Sequence, residues 1–294
     1  MSLKALLEPS SIAVIGASPR EGSLGHAVLL NLLERFPGRV YAVNPRGGEV
    51  RGLRFLRSLE ELPPVELAVV LVPARDAAEV LERCRAEVAI VESAGFAEMG
   101  PEGEALQGRL VEIARRRGMR LLGPNCAGVV NVRHGLVTTF ARPRELKPGP
   151  ISMVTQAGIY VAGMIELYGH WGWDVFITLG NRADIDEAEA IALLADRPST
   201  GVIGAYLEGA SRGLLPALRR AARRKPAVVL WGGSGRWGRA ATRSHTGSLA
   251  GAAALRSALL RQAGAIEARD LQELVGIVKV AGMQGVPGPG GMAV

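Results

Sequence analysis

Three observations place this 294-residue chain in the α/β class, as two parallel-sheet domains of Rossmann-like and flavodoxin-like type. Short β-rich runs alternate with stretches of helical apolar spacing, the succession that βαβ units and a parallel sheet produce. Apolar residues make up 48% of the composition and aromatics only 4%. The core is therefore built from Val, Leu, Ile and Ala, which suits strands buried on both faces. The length exceeds that of a usual single domain and favours two domains of roughly 150 residues.

In chain order, the first series reads as strands at residues 12–15, 40–43, 67–72, 88–91 and 120–122, with helices such as 26–35 and 103–117 between them. Ligands of such a sheet bind beyond the carboxyl ends of its strands. Lys147-Pro148-Gly149-Pro150 is a turn-forming break that divides a domain of residues 1–146 from one of residues 147–284. The second series has strands at 151–154, 175–178, 202–206 and 227–230, and helices at 158–168, 187–194, 214–224, 252–262 and 270–281. Residues 285–294 read as a linker-like tail that stops as an apolar run begins.

The formal charge of +7 is carried mostly by arginine, in dense runs at Arg115-Arg116-Arg117 and residues 219–225. Both runs fall where amphipathic helices end, where cations favour the helix dipole. They read as solvated helix faces, so no nucleic-acid partner is expected. Cys84 and Cys126 are too few and too far apart for a disulfide framework or a metal site. The N-terminus lacks the apolar core of a signal peptide, and no segment approaches the ~20 apolar residues of a spanning helix. A cytoplasmic protein with reduced thiols, no metal and no membrane partner is expected.

After the first strand comes a glycine-rich turn running from Gly16 through Ser18 and Gly22 to Gly25. Such a turn offers backbone N–H groups and a positive helix terminus to a phosphate, or simply packs a helix on a strand. Its spacing is not the tight Gly-x-Gly-x-x-Gly of dinucleotide sites. The second strand ends in Asn44-Pro45-Arg46, where an NAD site would place Asp or Glu for the ribose hydroxyls. Arginine offers a bidentate fork to phosphate, which favours a 3′-phosphorylated adenosine, as in coenzyme A, over NAD and leaves NADP open. Three further strand ends carry Val72-Pro73, Ser93-Ala94-Gly95-Phe96 and Gly123-Pro124-Asn125-Cys126. Nothing in the sequence supplies a base that would make Cys126 a nucleophile.

In the second series Thr155-Gln156-Ala157-Gly158 closes a strand and opens a helix, so its amides face an anion. Glu208 follows another strand, at the end where such sheets keep their chemistry; alone it is equally a surface carboxylate. His245 lies in Ser244-His245-Thr246-Gly247-Ser248-Leu249-Ala250-Gly251, a loop whose glycines free the backbone to move the ring with a group attached. A carboxylate on one imidazole nitrogen makes the other a better nucleophile toward phosphorus. His26, His134 and His170 read as structural or solvated. Gly180-Asn181-Arg182-Ala183-Asp184 reads as a helix start capped by Asp184 or Asp186, and equally it resembles a Gly-Asn-Lys-Ala-Asp segment of the family named below.

Taken together, these segments resemble the nucleotide-diphosphate-forming acyl-CoA synthetases, the family of succinyl-CoA synthetase α subunits and ADP-forming acetate–CoA ligases. The resemblance implies that Gly16, Ser18, Gly22, Arg46, Val72, Pro73, Ser93, Gly95 and Asn125 line a groove for coenzyme A, with its thiol near Asn125 and Cys126. It implies that Thr155, Gln156, Ala157 and Gly158 hold phosphate, and that Glu208 orients a phosphorylated His245. The implied reaction is acid + CoA + ATP ⇌ acyl-CoA + ADP + phosphate, through an acyl phosphate and phosphohistidine. ATP or ADP and Mg²⁺ then belong to an ATP-grasp β subunit, in an αβ hetero-oligomer acting on a small carboxylic acid. In longer relatives a third domain begins near residue 285, so the chain reads as one subunit of a split enzyme or as a shortened one. Two departures stand out. Ala157 replaces the second serine of the family's Ser-Gln-Ser-Gly, and Trp231-Gly232-Gly233 stands where relatives carry Lys-Ser-Gly. They leave room for a noncatalytic acyl-CoA-binding or sensing module of the same fold; an NADP-dependent oxidoreductase would leave the histidine loop unexplained.

Overall fold

The computed structural model describes residues 3–232 and 253–284. His245, its loop and the tail at 285–294 lie outside the described residues. In chain order the elements are α1 (Lys4–Leu7), β1 (Ser11–Ile15), α2 (Leu24–Arg35), β2 (Arg39–Val43), β3 (Glu49–Val50), β4 (Leu53–Arg54), β5 (Val65–Val70), α3 (Ala74–Arg83), β6 (Ala86–Val91), α4 (Pro101–Arg116), β7 (Arg120–Leu122), β8 (Val129–Asn131) and β9 (Leu136–Val137). They continue with β10 (Pro148–Thr155), α5 (Gly158–Tyr168), β11 (Trp173–Thr178), α6 (Glu187–Asp196), β12 (Val202–Leu207), α7 (Leu214–Ala222), β13 (Ala227–Trp231), α8 (Ala253–Ala263), β14 (Ile266–Ala268) and α9 (Leu271–Gln284).

The first sheet has the order β2-β1-β5-β6-β7. It is parallel throughout, with Ile15 opposite Val43 on one side of β1 and opposite Val70 on the other. Its strands read as apolar runs because helices cover both faces; Ile12, Val14, Leu67, Val69 and Ile90 are fully buried. From β1 the chain winds outward to β2, and from β5 it winds the other way to β6. The carboxyl ends of β1 and β5 therefore flank a topological switch point, where such sheets bind ligands. Ser23 caps α2, its hydroxyl accepting from the His26 N–H at 3.3 Å, which removes one of the helix's orphan donors.

The second sheet runs β14-β13-β12-β10-β11-β8-β9. β12, β13 and β14 are parallel, whereas β8 pairs antiparallel with β9 and β11. The short β8 and β9 escape a periodicity reading because a pattern needs more residues than they contain.

The chain forms two compact units. The first takes the residues up to Leu146 together with Thr155–His170 and Val175–Glu187; the second takes Lys147–Val154, Trp171–Asp174 and the described residues from Ala188 onward. The return to the first unit has a backbone cause. Asn181 N–H donates to Pro124 O at 2.9 Å, Ala183 N–H to Gly123 O at 2.9 Å and Ile185 N–H to Leu121 O at 3.1 Å. The first unit thus holds β7 and the loop after it against residues 181–185.

In the second unit, buried Asp174 accepts from Arg197 Nε at 2.9 Å, Ser199 Oγ at 2.9 Å and Thr200 Oγ1 at 2.7 Å, the pairing a buried carboxylate requires. The arginine runs lie at helix ends as expected. Arg116 pairs with Glu82 at 2.5 Å, and Arg220 and Arg224 both pair with Asp196. No helix among the described residues is long and apolar enough to cross a membrane.

Candidate functional site

At the switch point of the first sheet lies a cavity of about 830 Å³. Of the residues expected to bind nucleotide, Gly16, Ser18, Arg46, Val72 and Pro73 line it, joined by Arg20, Arg57, Arg83, Asp76 and the start of α2 at Leu24 and Gly25. Gly16 has φ +95°, and a Cβ there would come within 2.9 Å of the Leu71 carbonyl carbon. A Cβ on Gly25 would meet Gly16 O at 2.3 Å. These glycines let α2 start directly against β1, so that its amino end faces the cavity. Gly22, at φ +77°, has open space around it and lies outside the lining. Where an NAD site needs a carboxylate, Asn44 donates through Nδ2 to Ala17 O at 2.7 Å and accepts from Arg46 N–H at 2.9 Å. It ties the two strand-end turns together and leaves the cationic Arg46 at the rim.

The remaining expected residues form a chain of contacts beside Val72. Ser93 Oγ donates to Val72 O, and Asn125 N–H donates to Ser93 O at 3.0 Å. Asn125 takes φ +58°, a conformation its side chain tolerates. Its amide lies 3.3 Å from Asn181 Oδ1. Asn181 Nδ2 donates to Glu98 Oε2 at 2.5 Å, and Glu98 Oε1 accepts from Gly95 N–H at 2.6 Å and Phe96 N–H at 3.1 Å. Burial pushes the Glu98 carboxyl up, but these donors outweigh it and hold its pKa below the usual carboxylate value. Glu98 was not among the expected site residues, and Asn181 entered only within the Gly180–Asp184 segment. Only a map of side-chain contacts reveals that they brace the Gly95 and Asn125 loops.

Cys126 is buried, and burial followed by the nearby Glu92 pushes its thiol up to about 12; burial likewise raises Cys84 to about 11. A thiol that stays protonated is neither nucleophile nor metal ligand at neutral pH. Iodoacetamide at pH 8 is expected to modify neither cysteine of the native chain in the time that fully labels the urea-unfolded chain. Rapid native modification of Cys126 would contradict this burial. Among the described residues no cluster of His, Cys, Asp and Glu is able to hold a metal ion.

The expected phosphate segment sits at the end of β10 and the start of α5. Thr155 Oγ1 accepts from Ala157 N–H at 3.1 Å, and no side chain caps α5. The first-turn amides of a helix without a side-chain cap attract an anion. Ala157 adds no hydroxyl. A Cβ on Gly158 would stand 2.8 Å from Ala127 Cβ, so α5 begins against the loop that carries Asn125. Within the first unit the coenzyme-groove loops and the phosphate segment are thus in contact. The Gly180–Asp184 segment belongs there too, and Asp184 accepts from Arg120 Nε at 2.9 Å and Leu121 N–H at 2.8 Å instead of capping a helix.

In the second unit Glu208 follows directly on β12, at its carboxyl end, and Tyr206 OH donates to its Oε1 at 3.3 Å. Beside Trp231 the fold brings a cation that linear reading missed. Arg256, on α8 and buried, donates to Gly232 O at 2.9 Å and stands 5.2 Å from the centre of the Trp231 ring.

Comparison with known proteins bears on both halves. Residues 10–132 match the family described as CoA binding domain, and residues 148–281 match the succinyl-CoA ligase like flavodoxin domain. The acetate–CoA ligase (ADP-forming) I of Archaeoglobus fulgidus is 40% identical over 92% of this chain and 41% of its own length. The alpha subunit of acetate–CoA ligase (ADP-forming) I of Pyrococcus furiosus is 37% identical over 93% of this chain and 62% of its own length. The acetyl-coenzyme A synthetase 1 of Ca. Korarchaeum cryptofilum, solved with phosphate and ADP, superposes with a TM-score of 0.87 at 33% identity, covering 93% of this chain and 61% of that one. The chain therefore spans less than two thirds of the length of these relatives. Residues 10–132 and 148–281 thus belong to the CoA binding domain and succinyl-CoA ligase like flavodoxin domain families, and across both the chain is similar to the alpha-subunit part of ADP-forming acetate–CoA ligases.

Proposed function

We propose that the chain is the alpha subunit or alpha part of an acyl-CoA synthetase that interconverts acid, CoA and ATP with acyl-CoA, ADP and phosphate. The observation that carries this reading is the cavity at the switch point, where the α2 amino end, Arg46 and Val72-Pro73 converge. Coenzyme A fits it in chemistry: a polyanionic head for the helix terminus and guanidinium groups, and an apolar arm for Val72 and Pro73. Residues 1–146 would hold the coenzyme, with the arm passing Ser93 and Gly95 toward Asn125. Residues 147–284 would carry the phosphoryl chemistry.

Phosphate attacks the thioester carbon, the C–S bond breaks, and an acyl phosphate and free CoA result. The start of α5 at Ala157 and Gly158, with the Thr155–Gln156 strand end, would hold the phosphoryl group. Glu208 would fix the tautomer of His245, whose ring nitrogen takes the phosphoryl group as the O–P bond of the acyl phosphate breaks and the carboxylate leaves, and then delivers it to ADP to give ATP. Positioning and charge stabilisation dominate such transfers. ADP and its Mg²⁺ would lie on an ATP-grasp β subunit, as the naming of relatives as alpha subunits supports. A small carboxylic acid is the expected substrate class.

Isothermal titration of the chain tests the coenzyme. CoA should bind at least tenfold tighter than NADP, with NAD undetected. Tight NAD or NADP binding without CoA binding would replace this reading with an oxidoreductase. A noncatalytic CoA-binding module is favoured by the missing hydroxyl at Ala157 and by Trp231 where relatives carry lysine, and phosphoryl labelling separates it.

A further inference from the structure

We propose that Arg57 is a second anchor for the terminal phosphate monoester of the ligand, working with Arg46 and selecting coenzyme A over its 3′-dephospho form; this rests on the coenzyme reading above. The backbone places it. Leu56 is bridged to Val43, with Leu56 N–H donating to Ala42 O at 2.8 Å and Asn44 N–H donating to Leu56 O at 2.9 Å. The next residue, Arg57, is thereby held beside the Asn44-Pro45-Arg46 turn. Gly47 makes room for it: at φ +69°, a Cβ there would stand 3.1 Å from Arg57 Nε and 3.4 Å from Nη2. The guanidinium lies across the backbone next to Arg46, and both arginines line the same cavity.

Charge pairing separates these two from their neighbour. Arg83 also lines the cavity, but Glu60 and Glu79 hold it. Among the described residues neither Arg46 nor Arg57 makes an ion pair. Two adjacent uncompensated guanidinium groups favour the most highly charged group available. A phosphate monoester carries about −1.5 to −2 at neutral pH, more than either phosphate of a diphosphate bridge. The α2 amino end, on the Gly16 side of the cavity, suits the diphosphate. The site therefore reads two phosphate groups apart from each other, with separate devices.

The test is calorimetric titration of the full chain with CoA and with 3′-dephospho-CoA, for the natural sequence, Arg57→Ala, Arg57→Lys and Arg54→Ala. Arg54 is exposed and outside the cavity lining, so its variant removes the same charge elsewhere. Arg57→Ala should lose about tenfold in CoA affinity, the scale of a charge-assisted hydrogen bond, and less than about twofold for dephospho-CoA. Arg57→Lys should recover part of the loss, and Arg54→Ala should change neither ligand. Equal losses for both ligands, or no loss in Arg57→Ala, would overturn the assignment while leaving coenzyme binding intact. Failure of the natural sequence to bind CoA at all would overturn both.

Discussion

Replacing His245 by alanine is expected to abolish acid-labile phosphate on the chain altogether. With acetyl phosphate as donor, or ATP plus an ATP-grasp subunit, the natural sequence should gain one phosphoryl group that survives base and is lost in acid, as a phosphoramidate is. An imidazole nitrogen is a competent nucleophile toward phosphorus, and His245 is the proposed carrier. Glu208→Gln should slow labelling about tenfold or more, in the range measured when the partner orienting an active imidazole is removed. The amide still accepts a hydrogen bond but no longer offsets the charge that develops on the ring. Mass spectrometry of acid- and base-treated aliquots reads both variants. Label persisting in His245→Ala would refute the carrier role. An unlabelled natural sequence that still binds CoA would leave the noncatalytic module as the better reading.

Replacing Glu92 by leucine is expected to stabilise the protein, and more so as pH rises. Glu92 follows β6, is buried, and neither carboxyl oxygen has a hydrogen-bond partner among the described residues. Burial pushes its pKa well above the carboxylate value of 4.5. The folded chain keeps the proton that the unfolded chain loses near pH ~4.3. A raised folded pKa means that stability is fully present below the unfolded pKa and declines as pH rises from there toward the folded pKa. A buried, unsatisfied polar group costs about 1–3 kcal/mol, and leucine, of similar size, removes both that cost and the proton linkage. Urea unfolding at pH 5 and pH 8 should show a higher midpoint for Glu92→Leu at both, with the larger gain at pH 8. A lower midpoint at both would mean that the carboxyl makes a favourable contact. Glu92 stands next to a residue expected to line the coenzyme groove. It immediately precedes Ser93, and a Cβ on Gly128 would stand 2.5 Å from its Oε1, in the part of the first unit that holds Asn125 and the start of α5.

Local chemistry carried much of this in the linear chain. The strands of the first sheet appear within two residues of their observed limits, because apolar runs between polar turns mark strands buried on both faces. Arg46 at the end of the second strand favoured CoA over NAD and left NADP open, because an NAD site places a carboxylate there for the ribose. For residues 180–186 a helix start and a segment of the site stayed open, because both use carboxylates beside a turn. The structure takes Asp184 out of the capping role through Arg120 and Leu121, far away in sequence.

What the order of residues determines by itself is the βαβ succession, the turn chemistry at each strand end and the octet around His245, because each depends on neighbours a few positions apart. What only the tertiary structure decides is which side chains meet. Arg57 beside Arg46, Arg256 beside Trp231, Glu98 and Asn181 between two loops, and Glu92 without a hydrogen-bond partner among the described residues all depend on how separate segments pack. Periodicity and spacing carry no record of such contacts, since the energy that selects them arises when separate elements pack and exclude water from the groups between them.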